Sequence, residues 1–497
     1  LSRGLGDVYK RQVEESQKVN LNYKNKTFSA IVNLTSNLVK EGEIGIYLDV
    51  FRANNLKEND LIEVEKSKES KSTVYIKSKI YGKRLSYNEI YQIVKDTVDG
   101  LLSDIELTAL VTALNSHGLT VEEAANFAIA MVETGKTLNL KSKIILDKHS
   151  IGGLSGDKTS LLLVPIIASL GYKIPKTSSR AITSAAGTAD KASVLMNVEL
   201  DVNEMEYVVN KANGCLVWGG SLHLAPADDI FIRYEYPLGI DPLMLASIMA
   251  KKKAVNATHL VIDIPTGRGT KVKTIGEAEE LAKDFIEISK ILKIKTKVLI
   301  TQGIQPMGFT IGPALEAKEV LEILMRRKSV LDVVDKVLNV ADSLLKLVGT
   351  ENGYNLAKNC LFSGKAEIKM RQLIELQNGN KGIKPEDIEI ASSYYDFISS
   401  KDGSILWLDT NGLNEVARAL GCPKDKKAGI QLFKKVGNKV KKGEKILRLY
   451  SSKSSKLESA AKLLEENSSI GIGKSYNILI KSLEEVEVPR RTFILER

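Results

Sequence analysis

The sequence predicts a multidomain α/β protein with a central, mostly parallel sheet. Short apolar runs typical of buried strands, such as Ile144–Leu146 and His259–Pro265, each lead into a glycine-rich loop and then into a helical segment. This strand–loop–helix order is typical of parallel sheets whose strands are joined by crossover helices. A chain of 497 residues is also long enough for about three or four domains. We therefore expect smaller domains on both sides of the central α/β domain.

The part of the chain before residue 85 divides into two segments. The opening string LSRGLGDVYKRQ has no initiating methionine and fits no structural pattern, so we interpret residues 1–20 as a tag-like, disordered segment. Residues 21–84 contain short apolar runs separated by polar turns, which predicts a small N-terminal β-barrel domain. Its candidate strands are Ala30–Leu34, Ile44–Val50, Leu61–Val64 and Val74–Ser78.

Residues 85–143 predict a helical domain, because apolar residues recur there at helical spacing. The expected helix starts carry capping boxes, in which a serine or threonine N-cap is followed three residues later by a glutamate. The three boxes are Ser86 with Glu89, Ser103 with Glu106, and Thr120 with Glu123.

The remainder of the chain predicts the central domain, a helical connection and a C-terminal domain. The central α/β domain is expected over residues 144–223 and 255–334, and helices over residues 335–400. A C-terminal α+β domain over residues 401–497 should hold strands at Ile405–Leu408, Gly429–Lys434 and Lys445–Tyr450. The string KKVGNKVKKGEKILRLYS resembles the hammerhead of biotinyl or lipoyl domains. Because it shows no modifiable lysine at a hairpin tip, we interpret it as structural.

Composition argues against several classes of function. The net charge is +10, but the lysines are dispersed and often interleaved with glutamate, so no nucleic-acid partner is expected. The longest apolar run, Leu161–Leu170, is too short to span a bilayer, so no membrane partner is expected. Cys215, Cys360 and Cys422 are too far apart in sequence to suggest a disulfide framework or a CxxC metal site. We therefore expect a cytoplasmic protein.

The first glycine-rich loop follows the strand Ile144–Leu146 and predicts an anion-binding site. Three glycines, at positions 152, 153 and 156, precede a helix that opens at Thr159-Ser160. Glycines let backbone N–H groups approach an oxyanion, and a helix N-terminus adds partial positive charge. Lys148 adds a full charge, and the hydroxyl of Ser150 adds a neutral donor.

A second loop, rich in hydroxyl groups, follows within the next strand–helix unit. It runs from Lys176 through Arg180 to Ser184 and ends at Gly187-Thr188. Hydroxyl groups with one guanidinium suit a phosphate, because the arginine fork matches two oxygens at once. The two loops together indicate either two anionic groups or one anion and a sugar.

Further candidate residues lie between residues 233 and 271. Arg233 and Asp241 precede an apolar helix that carries Ser247 and Lys251 one turn apart on one face. Thr266–Lys271 forms a third glycine loop at the carboxyl end of a predicted strand, where ligands gather in open α/β sheets. Taken alone, Asp241 is an ordinary turn residue before a proline, and His223 is interpreted as structural.

Two groups of motifs resemble known enzymes. DKHSIGG at residues 147–153, with GDKTS at residues 156–160, is similar to the signature of the thymidine/pyrimidine nucleoside phosphorylase family. SRAITS at residues 179–184, GTAD at residues 187–190 and LAPADD at residues 224–229 resemble the branch of that family that acts on nucleoside 5′-monophosphates. The resemblance runs from about Leu21 to the end of the chain. It implies phosphorolysis of a nucleotide such as AMP, CMP or UMP to free base and ribose 1,5-bisphosphate.

The resemblance also implies a fold and roles for individual residues. The central domain should be of the nucleoside phosphorylase/phosphoribosyltransferase type, and residues 224–254 should complete the helical domain. Asp241 is the expected proton donor and His149 a contact to the base or sugar. The expected phosphate-binding residues are Lys148, Ser150, Gly152, Ser160 and Thr188. The expected nucleotide-binding residues are Gly153, Ser179, Arg180, Ala181, Ile182, Thr183, Ser184, Thr188, Arg233, Ser247, Lys251 and Lys271.

No metal and no cofactor is expected, because lysines, arginine and loop amides already supply positive charge, with inorganic phosphate as co-substrate. The expected partners are the small-molecule substrates and further copies of the chain in a homodimer or larger homo-oligomer. Three alternatives stay open: a pyrimidine nucleoside phosphorylase, an anthranilate-phosphoribosyltransferase-like enzyme that would need Mg²⁺, and a catalytically silent nucleotide sensor. Substrates lacking the 5′-phosphate, a metal requirement, or binding without phosphate consumption would distinguish them in turn.

Overall fold

The structure, a computed structural model, describes residues 18–24, 26–40, 42–66, 70–181, 184–222 and 224–474. Of the predicted site residues, Ile182 and Thr183 lie outside these ranges, as does His223. The opening string LSRGLGDVYKRQ also lies outside them, as do residues 475–497.

The N-terminal part is a small antiparallel sheet of three strands in the order β2-β1-β3. The first strand begins inside the segment that was expected to be disordered up to residue 20. Predicted strand Ile44–Val50 is wrong, because a helix occupies its last residues and no strand forms before it. Three described strands do not establish a closed barrel, which stays a prediction. The elements are β1 (Lys18–Tyr23), β2 (Lys26–Ile31), α1 (Leu48–Ala53) and β3 (Glu63–Lys66).

Four helices follow, and all three predicted capping boxes are confirmed. The prediction of a strand over Val74–Ser78 is wrong, because those residues lie within a helix. Ser70 caps that helix by accepting a hydrogen bond from the backbone N–H of Ser72, and Ile76 packs into the core of the helical domain. The helices are α2 (Lys71–Ile80), α3 (Tyr87–Val98), α4 (Asp104–His117) and α5 (Val121–Glu133).

The central domain alternates strands and helices as predicted. Its elements are β4 (Leu146–Ser150), α6 (Thr159–Ser169), β5 (Ile174–Ser178), α7 (Thr188–Ala192), α8 (Val202–Ala212), β6 (Gly214–Trp218), α9 (Pro226–Leu238), α10 (Met244–Ala254), β7 (His259–Thr266), α11 (Ile275–Ile291), β8 (Lys295–Gln302), β9 (Thr310–Ile311) and α12 (Pro313–Leu324).

The central strands form a parallel sheet. Strands β4, β7 and β8 pair in parallel, and so do β5 and β6. A parallel bridge between Ile145 and Lys173 joins the two sets into the order β6-β5-β4-β7-β8. The prediction of a multidomain α/β fold with a mostly parallel central sheet is confirmed.

Strand β4 runs further than the apolar pattern indicates. It begins at Leu146 and continues through Ser150, pairing residue by residue with β7 up to Ser150 opposite Asp263. The polar residues 147–150 therefore lie in a strand rather than in the loop after it. Their position is fixed by the sheet, which makes them more rigid than loop residues.

Helices α9 and α10 fold back onto helices α2 to α5, and these six helices together form the helical lobe. Phe231 of α9 meets Phe127 of α5 edge to face, with ring centroids 6.5 Å apart, and both rings are buried. Helix α10 packs along α5 in the same core. The connection between α9 and α10, which carries Asp241, therefore belongs to the helical lobe and faces the central sheet.

The last part of the described chain holds three helices and then an α+β domain. The first strand of that domain, Tyr394–Ile398, lies within residues 335–400, where helices were predicted. The three predicted C-terminal strands are confirmed. Strand β9 of the central domain joins the C-terminal sheet, whose order is β10-β14-β12-β9. The hammerhead topology stays a prediction. The elements are α13 (Leu331–Leu347), α14 (Gly353–Phe362), α15 (Lys365–Leu376), β10 (Tyr394–Ile398), β11 (Gly403–Leu408), α16 (Thr410–Leu420), β12 (Gly429–Leu432), β13 (Lys439–Val440), β14 (Lys445–Tyr450), α17 (Ser454–Glu466) and β15 (Ile470–Gly473).

Candidate active site

The three predicted ligand loops leave the same edge of the central sheet. Strand β4 ends at Ser150, β5 at Ser178 and β7 at Thr266. Because these strands are parallel neighbours, their carboxyl ends lie side by side. This edge is where ligands bind in open α/β sheets. The structure therefore brings the loops together as the sequence predicted.

The first loop turns on glycines that have left-handed backbone angles. Gly152 and Gly153 both have φ of +86°. A Cβ added to Gly153 would lie 2.8 Å from the backbone nitrogen of Lys271, whereas one added to Gly152 would meet nothing within 4 Å. Gly153 thus lets the first and third loops touch, and Gly152 leaves open space beside the loop.

The hydroxyl of Ser150, at the end of β4, is the clearest sign of a ligand beside the first loop. Its oxygen is inaccessible and has no hydrogen-bond partner within the described part of the chain. Buried polar groups in native proteins are nearly always hydrogen-bonded, so this oxygen calls for a bound ligand or water. Ser160, in the first turn of α6, is buried nearby in sequence.

Lys148 sits in a buried cluster of four charges. Its amine lies 3.5 Å from Asp263 Oδ2 and 3.7 Å from Asp157 Oδ2, and its side chain is 2% exposed. The amine of Lys336, from α13, lies 2.8 Å and 3.8 Å from the same two oxygens. Burial alone would raise the pKa of Asp157, but Lys148 and Lys336 hold that pKa well below its ordinary value. Asp157 is therefore ionised, and both carboxylates are paired with the two lysines.

A second buried cluster surrounds Asp147. One carboxylate oxygen lies 2.6 Å from the amine of Lys252, and the other lies 3.9 Å from the amine of Lys176. Burial, together with the neighbouring charge of Lys252, lowers the pKa of Lys176 to about 7. This cluster ties β4 and β5 to α10, which links the sheet to the helical lobe.

The predicted catalytic residue His149 is neutral at physiological pH. Burial first, and then the positive charges of Lys252 and Lys176, lower its pKa well below the ordinary value. A neutral imidazole is a hydrogen-bonding group and not an acid. This protonation state agrees with a contact to base or sugar and leaves proton donation to another residue.

The second loop is held closed by Asp190. Its carboxylate accepts the backbone N–H groups of Ala181, at 2.7 Å, and of Gly187, at 2.8 Å. Arg180 lies against it, with one guanidinium nitrogen 3.5 Å from Asp190 and another 2.6 Å from Glu199. Arg180 also stacks over the ring of Trp218, 4.9 Å from its centroid. The guanidinium is thus oriented by three partners and keeps part of its surface exposed.

The other predicted residues of the second loop are less constrained. Ser179 is exposed, the hydroxyl of Ser184 bonds to the carbonyl of Ala186 at 3.4 Å, and Thr188 opens α7. The structure therefore places them around the loop that follows β5.

The helical lobe contributes a row of polar side chains opposite the loops. The amine of Lys251 lies 2.6 Å from Asp228 Oδ2 and donates to the hydroxyl of Ser247 at 3.3 Å. Arg233 is exposed on α9. Asp228 stands in the first turn of α9, and its pairing with Lys251 orients the lysine.

Asp241 faces Lys271 of the third loop, with Oδ2 3.8 Å from the lysine amine. Burial raises the pKa of Asp241, Asp228 raises it further, and Lys271 and Lys251 oppose that shift. Nearby, burial and the charge of Asp241 raise the pKa of Glu235 to about 7. The structure therefore places two carboxyl groups with raised pKa values at the lobe side of the cleft.

Sequence reasoning missed several charged residues that shape this site. No site role was predicted from the sequence for Asp263 or Lys336. A signal was present for Asp263, because it is the one carboxylate in the apolar strand β7 and a buried carboxylate requires a cation. Glu235 is a second example, since its helical position gives no sign that it folds under the turn that carries Asp241. Within the described residues, no three His, Cys, Asp or Glu side chains are placed to hold a metal ion.

The C-terminal domain holds all three loops from outside. The hydroxyl of Ser155 in the first loop donates to the carbonyl of Thr410 at 2.9 Å. In the second loop, the N–H of Ala185 donates to Asn414 Oδ1 at 3.1 Å. In the third loop, the guanidinium of Arg268 stacks on Trp407, 5.0 Å from the ring centroid.

The described helices include none with the length and apolar character needed to cross a bilayer.

Family models match three parts of the chain in the order the structure shows. Residues 73–135 match the helical bundle domain of a glycosyl transferase family, and residues 142–367 match the α/β domain of that family. Residues 405–471 match the pyrimidine nucleoside phosphorylase C-terminal domain.

Solved structures with a similar fold include anthranilate phosphoribosyltransferases. The enzyme from Thermus thermophilus has a TM-score of 0.53 and 19% sequence identity, covering 61% of this chain and 99% of its own. The enzyme from Saccharomyces cerevisiae has a TM-score of 0.51 and 16% identity, covering 63% and 99%. At such low identity the likeness concerns the fold alone.

Curated relatives share far more sequence. An AMP phosphorylase from Thermofilum pendens is 47% identical over 98% of this chain and 95% of its own length. AMP phosphorylases from Thermococcus kodakarensis and Methanocaldococcus jannaschii are 47% and 45% identical, over 88% and 92% of this chain and the same shares of their own lengths. Identity at this level over nearly the whole chain, together with the matched domains, shows that the protein belongs to the AMP phosphorylase family.

Proposed function

We propose that the protein cleaves nucleoside 5′-monophosphates with inorganic phosphate, releasing the free base and ribose 1,5-bisphosphate. AMP is the expected substrate, with CMP and UMP also accepted, and the reaction serves nucleotide salvage or degradation. The observation that carries the proposal is the meeting of three ligand loops at one sheet edge, opposite the polar row of the helical lobe. The family of the chain supports the same reaction.

Inorganic phosphate would bind at the first loop. The free hydroxyl of Ser150, the open turn at Gly152 and the amine of Lys148 supply donors and charge there. Ser160 and Thr188 open α6 and α7, so each would add a hydroxyl at a helix start. A phosphate held this way is positioned for attack on the sugar.

The nucleotide would bind between the second loop, the third loop and the helical lobe. The 5′-phosphate would lie against the second loop and Lys271, and the base against Arg233, Ser247 and Lys251. Ile182 and Thr183 are assigned to the same loop by sequence alone. The full set of nucleotide-binding residues is Gly153, Ser179, Arg180, Ala181, Ile182, Thr183, Ser184, Thr188, Arg233, Ser247, Lys251 and Lys271.

Repulsion between the two bound phosphate groups explains why positively charged side chains come from several elements of the site. Two phosphate groups bound side by side repel, and at an effective dielectric of about 20 each pair of unit charges about 4 Å apart contributes roughly 4 kcal/mol. One lysine does not offset that repulsion. Lys148 comes from strand β4, and Arg180 and Lys271 come from the second and third loops. Together they distribute positive charge over both groups.

In the reaction, a phosphate oxygen forms a bond to C1′ of the ribose as the bond from C1′ to the base nitrogen breaks. The electron pair of the breaking bond stays on the base, which therefore takes up a proton. Asp241 is the proposed donor, because burial raises the pKa of its carboxyl and so favours the protonated form. His149, held neutral, contacts the base or sugar.

Inorganic phosphate is the co-substrate, and no metal or cofactor takes part. The protein works in the cytoplasm as a homodimer or larger homo-oligomer, and its other partners are small molecules.

The test is phosphate-dependent release of base, measured by chromatography with AMP, CMP, UMP, uridine and thymidine as substrates. Release from the nucleotides only when phosphate is present, and unchanged by a chelator, supports the proposal. Release from uridine or thymidine in preference to the nucleotides would assign the protein to nucleoside phosphorolysis. Nucleotide binding without any release would indicate a sensor.

A further inference from the structure

Lys336 is a buried lysine that the reaction as described does not use. It lies on α13, between Val333 and Val337, which are both fully buried, and its own side chain is 9% exposed. A charged amine in such a position is strongly destabilising unless it is paired. Its amine lies 3.8 Å from Asp157 Oδ2, in the first loop, and 2.8 Å from Asp263 Oδ2, in β7.

The two carboxylates do more than pair with lysines. The second oxygen of Asp157 accepts the backbone N–H of Thr159 at 3.0 Å, which fixes the start of α6. The second oxygen of Asp263 accepts the hydroxyl of Thr301 at 2.7 Å, which fixes β7 against β8. Both carboxylates are therefore structural anchors that lie within 4 Å of the amine of Lys148.

The charges of this cluster cancel. Lys148 and Lys336 supply two positive charges, and Asp157 and Asp263 supply two negative ones. Burial would lower the pKa of Lys336, but Asp157 and Asp263 raise it, so the amine stays charged. Without Lys336, Lys148 would be the one lysine of the described residues within 4 Å of the two carboxylates, and these three side chains would carry a net negative charge. The amine of Lys191, which donates to the backbone carbonyl of Asp157, is itself paired with Glu316.

We propose that Lys336 is a positioning residue for phosphate binding: it neutralises Asp157 and Asp263, so that the charge of Lys148 stays available to phosphate. The proposal rests on the proposed function in placing phosphate at Lys148. It assigns a role in phosphate binding to a residue of α13 that pairs with the two carboxylates and does not touch the reactants.

The test compares four variants of the full chain. Lys336→Met removes the charge and keeps the length of the side chain, and Lys336→Arg keeps the charge. Asp263→Asn combined with Lys336→Met restores a neutral cluster. Lys346→Met is the matched control, since Lys346 lies on the same helix with its side chain 57% exposed and paired to Asp342.

Binding of inorganic phosphate is measured by titration calorimetry, and KM for phosphate and for AMP by base release. Lys336→Met should weaken phosphate binding at least about tenfold, which is about 1.4 kcal/mol, and leave KM for AMP within about twofold. The neutral double variant should bind phosphate at least about threefold more tightly than Lys336→Met, and both Lys336→Arg and Lys346→Met should stay within about threefold of the unaltered protein. A purely structural role would make the double variant bind no better than the single one.

The proposal is overturned if folded Lys336→Met binds phosphate like the unaltered protein, or if the neutral double variant gains nothing over it. Should Lys336→Met fail to fold, Asp263→Asn alone provides the decisive measurement. It leaves the cluster with one extra positive charge, so phosphate should bind at least as tightly as to the unaltered protein, and weaker binding would overturn the proposal. Because calorimetry needs no turnover, these results stand even if the protein releases no base from AMP.

Discussion

Asp241 and Lys271 face each other across the cleft, with the carboxylate oxygen 3.8 Å from the amine, although one belongs to the helical lobe and the other to the third loop of the sheet. Neither side chain is fully buried, with 52% of Asp241 and 40% of Lys271 exposed. A proton donor needs a raised pKa and access to the ligand, and this position gives Asp241 both. The pair also marks where the helical lobe approaches the third loop of the sheet.

Replacing Asp241 by asparagine tests its role as the acid. Asp241→Asn keeps the size of the side chain but has no proton to give, so kcat with AMP should fall at least about 100-fold while KM for AMP changes less than about threefold. The control is Asp99→Asn, at a surface ion pair with Lys95 in the helical lobe. Near-normal turnover in Asp241→Asn would reject the assignment.

The pH profile of kcat carries the same information. Asp241 is active when protonated, so activity should be constant below its pKa and fall as pH rises through it. Because burial raises that pKa, the fall should begin at a higher pH than for an ordinary aspartate. Lys271→Met removes an opposing positive charge and should move the fall to still higher pH. A profile that is identical in the unaltered protein and in Lys271→Met would contradict this account.

Glu235 should make stability depend on pH. Burial and the charge of Asp241 raise its pKa to about 7 from 4.5, so its stabilising contribution is present below the unfolded pKa and is lost as pH rises through about 7. Glu235→Gln imitates the protonated form. Relative to the unaltered protein it should gain up to about 3 kcal/mol of unfolding free energy between pH 5 and pH 8.

The measurement for Glu235 is chemical denaturation at both pH values. Glu122→Gln, in the exposed first turn of α5, is the control. If the difference between Glu235→Gln and the unaltered protein is the same at both pH values, Glu235 does not titrate in this range.

The anchoring of the second loop by the C-terminal domain can be tested at Asn414. This buried residue accepts the N–H of Ala185, and removing it leaves a buried donor unsatisfied, which costs about 1–3 kcal/mol. Asn414→Ala should therefore raise KM for AMP about fivefold or more, since the loop loses its support. Asn411→Ala, at the exposed start of the same helix, should leave KM unchanged. Equal KM values in the two variants would show that the anchor does not affect the loop.

The buried pair of Asp147 and Lys252 should matter for stability. Lys252→Met leaves the fully buried carboxylate with Lys176 alone, 3.9 Å away, so the free energy of unfolding should fall by about 3–5 kcal/mol. Lys253→Met is the neighbouring control, because that amine donates to the carbonyl of Leu292 and not to a carboxylate. A loss of less than about 1 kcal/mol in Lys252→Met would mean that the pair is replaceable.

The sequence was informative wherever the signal is local. Glycine loops, capping boxes and apolar strands depend on neighbouring residues, and the structure reproduces them. The strand predicted at Val74–Ser78 failed because its β-branched and aromatic residues suit a strand locally, while packing in the helical lobe decides for a helix. The pairing of Asp263 with Lys336 was not predictable, since it joins β7 to α13 and arises only when both are folded.

The central claim is that phosphate and nucleotide bind together and exchange the base for a phosphate group. The most direct test follows the reaction of AMP with inorganic phosphate by phosphorus NMR while adenine is measured by absorbance. The account predicts that one phosphate is consumed for each adenine released and that a sugar product with two phosphorus signals appears. Adenine release with no phosphate consumed, and ribose 5-phosphate as the product, would contradict it.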